Sequence, residues 1–366
     1  MLKNIIISIE KKSLIFLDQF KTNKTLCTFN GDFSLYAKQT EPDLYGMLDS
    51  VFILYILNKL KDRTTIDSRK EWAEKIQSCQ DSSGKFSLKN FRGHSIEHAT
   101  AYAIAALILL QQEKTEDYLK NLKPLNFLIP ILTSEKTFYK WIKHLGCYSI
   151  KDIKHKELGW NYIWRGSHVG GGIAATIAMT SYLFSKWWPE IITNNWFKKY
   201  FSFLNSHNNK NTGLWQQAFY NIIFKKPTII DIGGASHFWW IYEKQNNNIP
   251  NPEAAIKSII KLQKTNGLYK NHPFCIDFDA INGLLTAYES LDQQDKYKDI
   301  ISNSILKSLK GITNYLTNNN FFSFYNNLHG LPGALAAIAE SNRATDLGLI
   351  SKYCNWNRPF NKVWWL

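Results

Sequence analysis

Two kinds of helical pattern alternate along this chain, and a glycine turn separates one from the next. "RKEWAEKIQSCQ" and "EAAIKSIIKLQ" put apolar residues at helical spacing on one face only, which predicts amphipathic helices lying on a core. "LYGMLDSVFILYIL", "EHATAYAIAALILL", "SHVGGGIAATIAM", "DIGGASHFWWIY", "DAINGLLTAYESL" and "HGLPGALAAIAES" are apolar or small on nearly every side. A helix without a polar face has to be buried all round. Between the two kinds sit "GDF" (31–33), "GKF" (84–86), "GLW" (213–215) and "GLY" (267–269), with weaker copies "LGW" (158–160) and "NFF" (320–322). Glycine suits such a turn because the chain leaving a helix commonly needs a residue with positive φ. A unit repeated in this way marks a repeat architecture. Six amphipathic helices around six apolar ones predict an all-α fold: an (α/α)6 barrel (toroid) of six helical hairpins, with residues 1–366 as a single domain. An open solenoid of helix pairs is the alternative. It needs polar capping repeats, and neither end of the chain supplies an obvious one.

When the starts of the six apolar helices are aligned, one level recurs: Tyr45, His98, His168, Asp231, Asp279 and His329. Three of these are followed by similar glycines, in "HVGGG", "DIGGA" and "HGLPG". In a barrel these helices point the same way, so the six side chains converge on one mouth. Buried Asp and His cost free energy unless they are partnered, which favours a functional ring over core filling. Asp is also a favoured helix cap, so Asp231 suits either a cap or a pocket. Histidine is a poor cap, and His98, His168 and His329 read as pocket residues. Asp49, His94, Glu97, Arg165, His237 and Asp277 lie beside the same level. Arg165, in "IWRGSH", suits a clamp on phosphate or carboxylate, or an ion pair with Glu97 or Asp277.

Composition adds partners more than fold. Hydrophobic residues make up 45% of the 366, enough for one large core. Thirteen Trp, 18 Tyr and 22 Phe suit core packing and, for some, the wall of an apolar or sugar-stacking cavity. The net charge of +14 reads first as a solvated lysine-rich surface; it also suits an anionic small molecule or glycan and allows peripheral contact with membrane lipid, without choosing among them. No basic helix or known motif accompanies the charge, so nucleic acid is not an expected partner. Five scattered cysteines, Cys27, Cys79, Cys147, Cys275 and Cys354, form no CxxC and favour a reducing compartment. The opening "MLKNIIISIEKKSLIFLDQF" is too charged for a signal peptide, and no apolar run approaches the roughly 18–20 residues of a membrane span. A cytoplasmic protein is expected.

"QDSSGKF" (80–86) and "QKTNGLY" (263–269) both follow the pattern Gln, three residues, Gly, any residue, aromatic. They resemble the QW repeats of squalene–hopene-type terpene cyclases, whose α/α-toroid superfamily also holds protein prenyltransferase β-subunits. The resemblance spreads over most of the chain and implies the toroid more specifically than it implies a chemistry. Class II cyclases carry a DxDD acid motif; here "DFDA" keeps only Asp277 and Asp279, and the chain has length for one toroid rather than two. Prenyltransferase β-subunits bind zinc through Asp, Cys and a distant His. Here Cys275 precedes Asp277, in the reverse order, and His329 falls in the next repeat. No cofactor is expected, and this trio is the one zinc candidate. Lanthipeptide cyclases share turns like "HGLPG", but their Cys and Cys-His zinc ligands are missing.

Three functions follow as expectations. The first is an isoprenoid cyclase or transferase. In it Asp279 and Asp277 act as acid candidates, His329 and His237 as their partners, Arg165 holds an anionic head group, and Trp239, Trp240 and Phe278 face developing positive charge. The second is a carbohydrate-active enzyme (glycoside hydrolase, epimerase or polysaccharide lyase) on an acidic glycan, using Tyr45, His98, His168, Glu97 and Trp164. The third is a non-catalytic binding toroid whose polar ring is mutually satisfied and leaves no open cavity.

Overall fold

A computed structural model describes residues 2–23, 29–87, 94–146, 162–191, 195–215, 226–318 and 325–366, apart from the side chains of His144, Tyr162, Ile163 and Arg165. The "LGW" and "NFF" turns, Cys27 and Cys147 lie outside the described residues. The described chain is all-α, and its only β pairing is two isolated bridges, Lys21 with Phe33 and Gln80 with Phe86.

Among the described residues, the helices of ten residues or more are α1 (Leu2–Asp18), α2 (Leu44–Ile56), α3 (Ile66–Ser78), α4 (Ile96–Leu110), α5 (Glu135–Gly146) and α6 (Tyr162–Thr180), followed by α7 (Trp196–His207), α8 (Ile229–Lys244), α9 (Pro252–Leu262), α10 (Cys275–Glu289), α11 (Asp295–Thr317) and α12 (Gly330–Ala339). The two sequence patterns sort them. Odd-numbered helices are amphipathic: α11 buries Ile301, Ile305, Leu309, Ile312 and Leu316, one stripe at helical spacing. Even-numbered helices lack an exposed face, and every residue of α2 and of α12 is buried.

Each even helix packs on the next: α2 on α4, α4 on α6, α6 on α8, α8 on α10 and α10 on α12. Helix α12 packs in turn on α2, so the contacts return to their start. The odd helices lie against them, α3 on α2 and α4, α5 on α6, α9 on α10, and α11 on α10 and α12. Helix α1 packs on α11, and the Leu328 N–H donates to the Leu35 carbonyl at 3.0 Å, joining the last hairpin to the first. One apolar cluster runs from Ile6 to Leu366.

The four clear turns have the expected backbone, with φ of 91° at Gly31, 91° at Gly84, 70° at Gly213 and 90° at Gly267. Both repeat glutamines clamp their turns in the same way. Gln80 Nε2 donates to the Gly84 carbonyl (2.9 Å) and the Lys123 carbonyl (3.0 Å), while Gln263 Nε2 donates to Gly267 (3.1 Å) and Ser304 (2.9 Å). Each glutamine thus ties its own turn to the next hairpin. The turn aromatics Phe33, Phe86, Trp215 and Tyr269 are buried beneath.

The segment 357–366 runs inward from the C-terminal ends of the even helices. The Asn357 N–H donates to the Ile56 carbonyl, and Arg358 sits between Glu340, just past α12, and Glu243 near the end of α8. Phe360 then meets Trp240 and Phe278, and Trp365 reaches His98 and His237. No helix among the described residues is long and apolar enough to cross a membrane.

Candidate functional site

Glycines bring the site together. A Cβ on Gly172 would come within 2.8 Å of the Glu97 carbonyl oxygen, and one on Gly171 within 2.7 Å of the His237 carbonyl oxygen. Helix α6 therefore lies against α4 and α8 at a distance that larger residues would forbid. The result is a continuous group of five imidazoles. His94 stacks on His98 with ring centroids 4.0 Å apart, His98 lies 4.6 Å from His168, His168 lies 4.5 Å from His237, and His94 lies 4.7 Å from His329.

These rings line one side of a cavity of about 430 Å³, together with Tyr102, Trp164, Trp240, Lys270, His272, Phe274, Cys275, Asp279, Tyr325 and Leu366. Polar groups behind the wall hold the rings. Tyr45 Oη meets His94 Nδ1 at 3.1 Å, and Ser167 Oγ meets His237 Nδ1 at 2.9 Å. Asp49 Oδ1 accepts from Tyr102 Oη and from His329 Nδ1, each at 2.8 Å.

Burial decides the protonation of the deeper groups. It pushes the His237 pKa down to about 3, so this ring is neutral near pH 7. His98 is held well below the ordinary imidazole value, first by burial and then by the neighbouring imidazoles, and its Nδ1 has no hydrogen-bond partner. Asp279 moves the other way. Burial, with Asp277 adding to it, raises its carboxyl well above the usual range, against the pull of the Ser236 hydroxyl and Lys270. Asp279 Oδ1 has no hydrogen-bond partner. A carboxyl whose pKa is raised, on the same wall as the His98 and His237 imidazoles whose pKa values are lowered, can give a proton and have one taken away. Lys270 Nζ lies 5.2 Å from the centroids of both the Trp164 and Phe274 rings, and is the one cation on the cavity wall among the described residues.

Of the residues singled out in the sequence, His94, His98, His168, His237, His329, Asp279, Trp164 and Trp240 meet at this cavity. Tyr45 and Asp49 stand one layer behind, hydrogen-bonded to His94 and His329. The Arg165 side chain lies outside the described residues. Other positions need correction. Asp231 closes a capping box, accepting from the Thr228 N–H (2.6 Å) and hydroxyl (2.7 Å). Asp277 accepts from the N–H groups of Tyr269 (3.1 Å) and Phe274 (3.0 Å), although burial outweighs these bonds and lifts its pKa to about 6. Both carboxylates thus serve helix starts. Glu97 pairs with Lys85 at 3.7 Å. Trp239 packs over Gly283 and Phe278 against Phe360, both buried away from the cavity.

The Cys275, Asp277 and His329 set does not fit a metal. Asp277 spends its oxygens on backbone N–H groups, His329 Nδ1 bonds Asp49, and burial pushes the Cys275 thiol far above its ordinary value. The one group of three metal-ligating side chains that converges among the described residues is His94, His98 and His168.

Sequence reasoning missed Lys270, His272, Tyr102 and the Leu366 floor. Lys270 had a signal, lying one residue after the "GLY" turn and ahead of α10, where a repeat exposes its loop to the mouth. Comparison with protein-family models, with curated proteins and with solved structures finds no match to this chain.

Proposed function

We propose that this chain is an (α/α)6-barrel enzyme acting by proton transfer on a small, largely apolar, anionic substrate, in the manner of isoprenoid cyclases or transferases. The cyclic packing of the even helices supports the barrel, since an open solenoid has no contact between its first and last inner helices. The observation that carries the chemistry is Asp279: a buried carboxyl whose pKa burial raises, with an unpartnered oxygen in a cavity of about 430 Å³. That volume lies within the roughly 300–1,000 Å³ of small-molecule sites.

In this reading Lys270 holds the anionic group. Asp279 gives its proton to an alkene carbon: a C–H bond forms, the π bond breaks, and positive charge develops at the neighbouring carbon. Trp164 and Trp240 present π faces to that charge. A neutral imidazole removes a proton from an adjacent carbon, whose electron pair becomes the new double bond. Ser236 interacts with Asp279 and lies 3.3 Å from His237 Nδ1, a route for returning the proton to Asp279.

A glycoside hydrolase uses two carboxyl groups about 5–10 Å apart. Asp279 is the one acidic side chain on the wall among the described residues, which favours the isoprenoid reading. A non-catalytic toroid would leave neither this cavity nor the unpartnered Asp279 oxygen.

The test is turnover of geranyl, farnesyl and geranylgeranyl diphosphate, followed by gas chromatography of the products. Wild type should convert at least one of them, and Asp279→Asn should lower the rate at least about 100-fold with unchanged helical circular dichroism. An Asp279→Asn protein as active as wild type overturns the assignment of the acid. Wild type that turns over none of these, yet releases a sugar acid in native mass spectrometry, overturns the substrate class in favour of a glycan.

A further inference from the structure

The geometry points to a divalent transition-metal site, of the kind zinc occupies, on His94, His98 and His168. One ligand nitrogen from each ring lies within 4.8 Å of the others. Nitrogens about 2.0–2.1 Å from a tetrahedral zinc stand roughly 3.3 Å apart, so side-chain rotation of about 1–1.5 Å closes the set.

Three further features of the site suit a metal. Tyr45 Oη lies 3.1 Å from His94 Nδ1, the outer hydrogen bond that orients a ligating ring and leaves Nε2 for the ion. His98 is 3% exposed and its Nδ1 has no partner, a costly state for a buried polar atom unless something binds there. All three rings border the cavity, so a fourth coordination position would open onto it, the arrangement of a catalytic rather than a structural zinc. An all-imidazole set selects Zn, Cu, Fe or Ni over Mg or Ca. The close approach of α6 to α4, made by Gly172, is what brings His168 to the other two rings.

The ion would supply a polarised water or a Lewis acid toward an anionic oxygen. His237 and His329, whose Nδ1 atoms are engaged by Ser167 and Asp49, stand beside it as bases or as a fourth ligand. The site goes beyond the proton-transfer reading. It shares the cavity but needs neither Asp279 nor an isoprenoid substrate.

The experiment uses the full chain, stripped with a chelator and titrated with Co²⁺ and then Zn²⁺. One equivalent of Co²⁺ should give the visible d–d bands of a tetrahedral nitrogen site, and Zn²⁺ should bleach them. His98→Ala and His168→Ala should each weaken Zn²⁺ binding at least about 100-fold, and Tyr45→Phe about 10-fold. His207→Ala, on the outer helix α7, should bind as wild type does. Wild type that takes up no stoichiometric Co²⁺ or Zn²⁺ overturns the site, as does a folded His98→Ala protein that binds as tightly as wild type. If the alanine variants fail to fold, an unchanged cobalt spectrum and affinity in Tyr45→Phe overturns it instead. Asp279→Asn should keep the metal. Zinc bound without isoprenyl turnover rejects the substrate reading and leaves the site standing, and turnover by a protein that binds no zinc does the reverse.

Discussion

Arg358→Ala asks whether charge holds the segment that floors the cavity. Arg358 Nε donates to Glu340 Oε2 at 2.6 Å and Nη2 to Glu340 Oε1 at 3.0 Å; Nη2 also bonds Glu243. Arg343 is the second cation of the cluster, at 3.2 Å from Glu340 and 2.8 Å from Glu243, and it also bonds Glu289. Glu340 is fully buried. Removing Arg358 leaves one guanidinium for Glu340, Glu243 and Glu289, with Glu340 unable to reach water. Breaking a buried pair from one side costs about 3–5 kcal/mol, because the remaining charge is uncompensated.

The pH dependence has a definite sign. Burial alone would raise the Glu340 pKa, but Arg358 and Arg343 outweigh it and hold the carboxyl below its ordinary value. That contribution is fully present above the unfolded value of about 4.3 and is lost as pH falls through the lower folded value. In Arg358→Ala the Glu340 pKa rises, so acid destabilisation begins at higher pH. Urea denaturation at several pH values measures both effects, and a cycle with Glu340→Gln should show a coupling of about 1–3 kcal/mol. A loss under about 1 kcal/mol, or strictly additive single and double variants, would refute the electrostatic account and assign the anchoring to burial of Phe360 and Trp365.

Gly267→Ala combines a positive φ of 90° with a Cβ 2.0 Å from the Lys307 carbonyl oxygen, and should cost at least about 2 kcal/mol. Gly348→Ala, with φ of 67° and nothing within 4 Å, should lose only about 1 kcal/mol; equal melting-temperature losses would reject the steric part. Gln263→Ala should cost about 1 kcal/mol by removing one donor from each of the Gly267 and Ser304 carbonyls, while the Ser308 hydroxyl still donates to Gly267. Gln263→Glu keeps the acceptor for the Ser304 hydroxyl but loses the donor, so it should recover only part of the loss, and full recovery in a urea titration would count against the clamp. Asp279 has a raised folded pKa, so the stability of its neutral form is complete below about pH 3.9 and is lost as pH rises through the folded value. Asp279→Asn should therefore match wild type near pH 3.5 and exceed it at pH 8. A constant difference across that range would contradict a neutral Asp279.

Much of the fold was legible in the sequence because its signals are local. Burial of a whole helix is written in the absence of polar residues, as in "LYGMLDSVFILYIL", and every residue of α2 is buried. The turn glycines were legible because positive φ is a property of one residue. What escaped depends on distant chain. Lys270 reaches the cavity only because its loop is folded over Trp164 and Phe274. The path of residues 357–366 is set by partners more than a hundred positions away, Glu243 among them. No periodicity announces such a pairing.

Which side chains line the cavity was half legible, and the misplacements share one cause. Aligning helix starts treats a position near the N-terminus as a direction, yet two residues of helix turn a side chain by about 200°. Asp277 and Asp279 therefore point to nearly opposite sides of α10: the first back to the N–H groups of Tyr269 and Phe274, the second into the cavity. In α8, Asp231 sits three residues into the helix, where an acid can reach back to the cap residue, and His237 six residues later takes its place on the wall. Depth along an inner helix thus separates the two uses of polar groups. Acids in the first turn whose carboxylates meet backbone N–H groups are caps. His98, also in the first turn, is released from that task because Ser95 Oγ accepts its backbone N–H, which leaves the ring free to face inward. That distinction makes the cavity rich in imidazole and poor in carboxylate, the composition on which both the proton-transfer reading and the metal site rest.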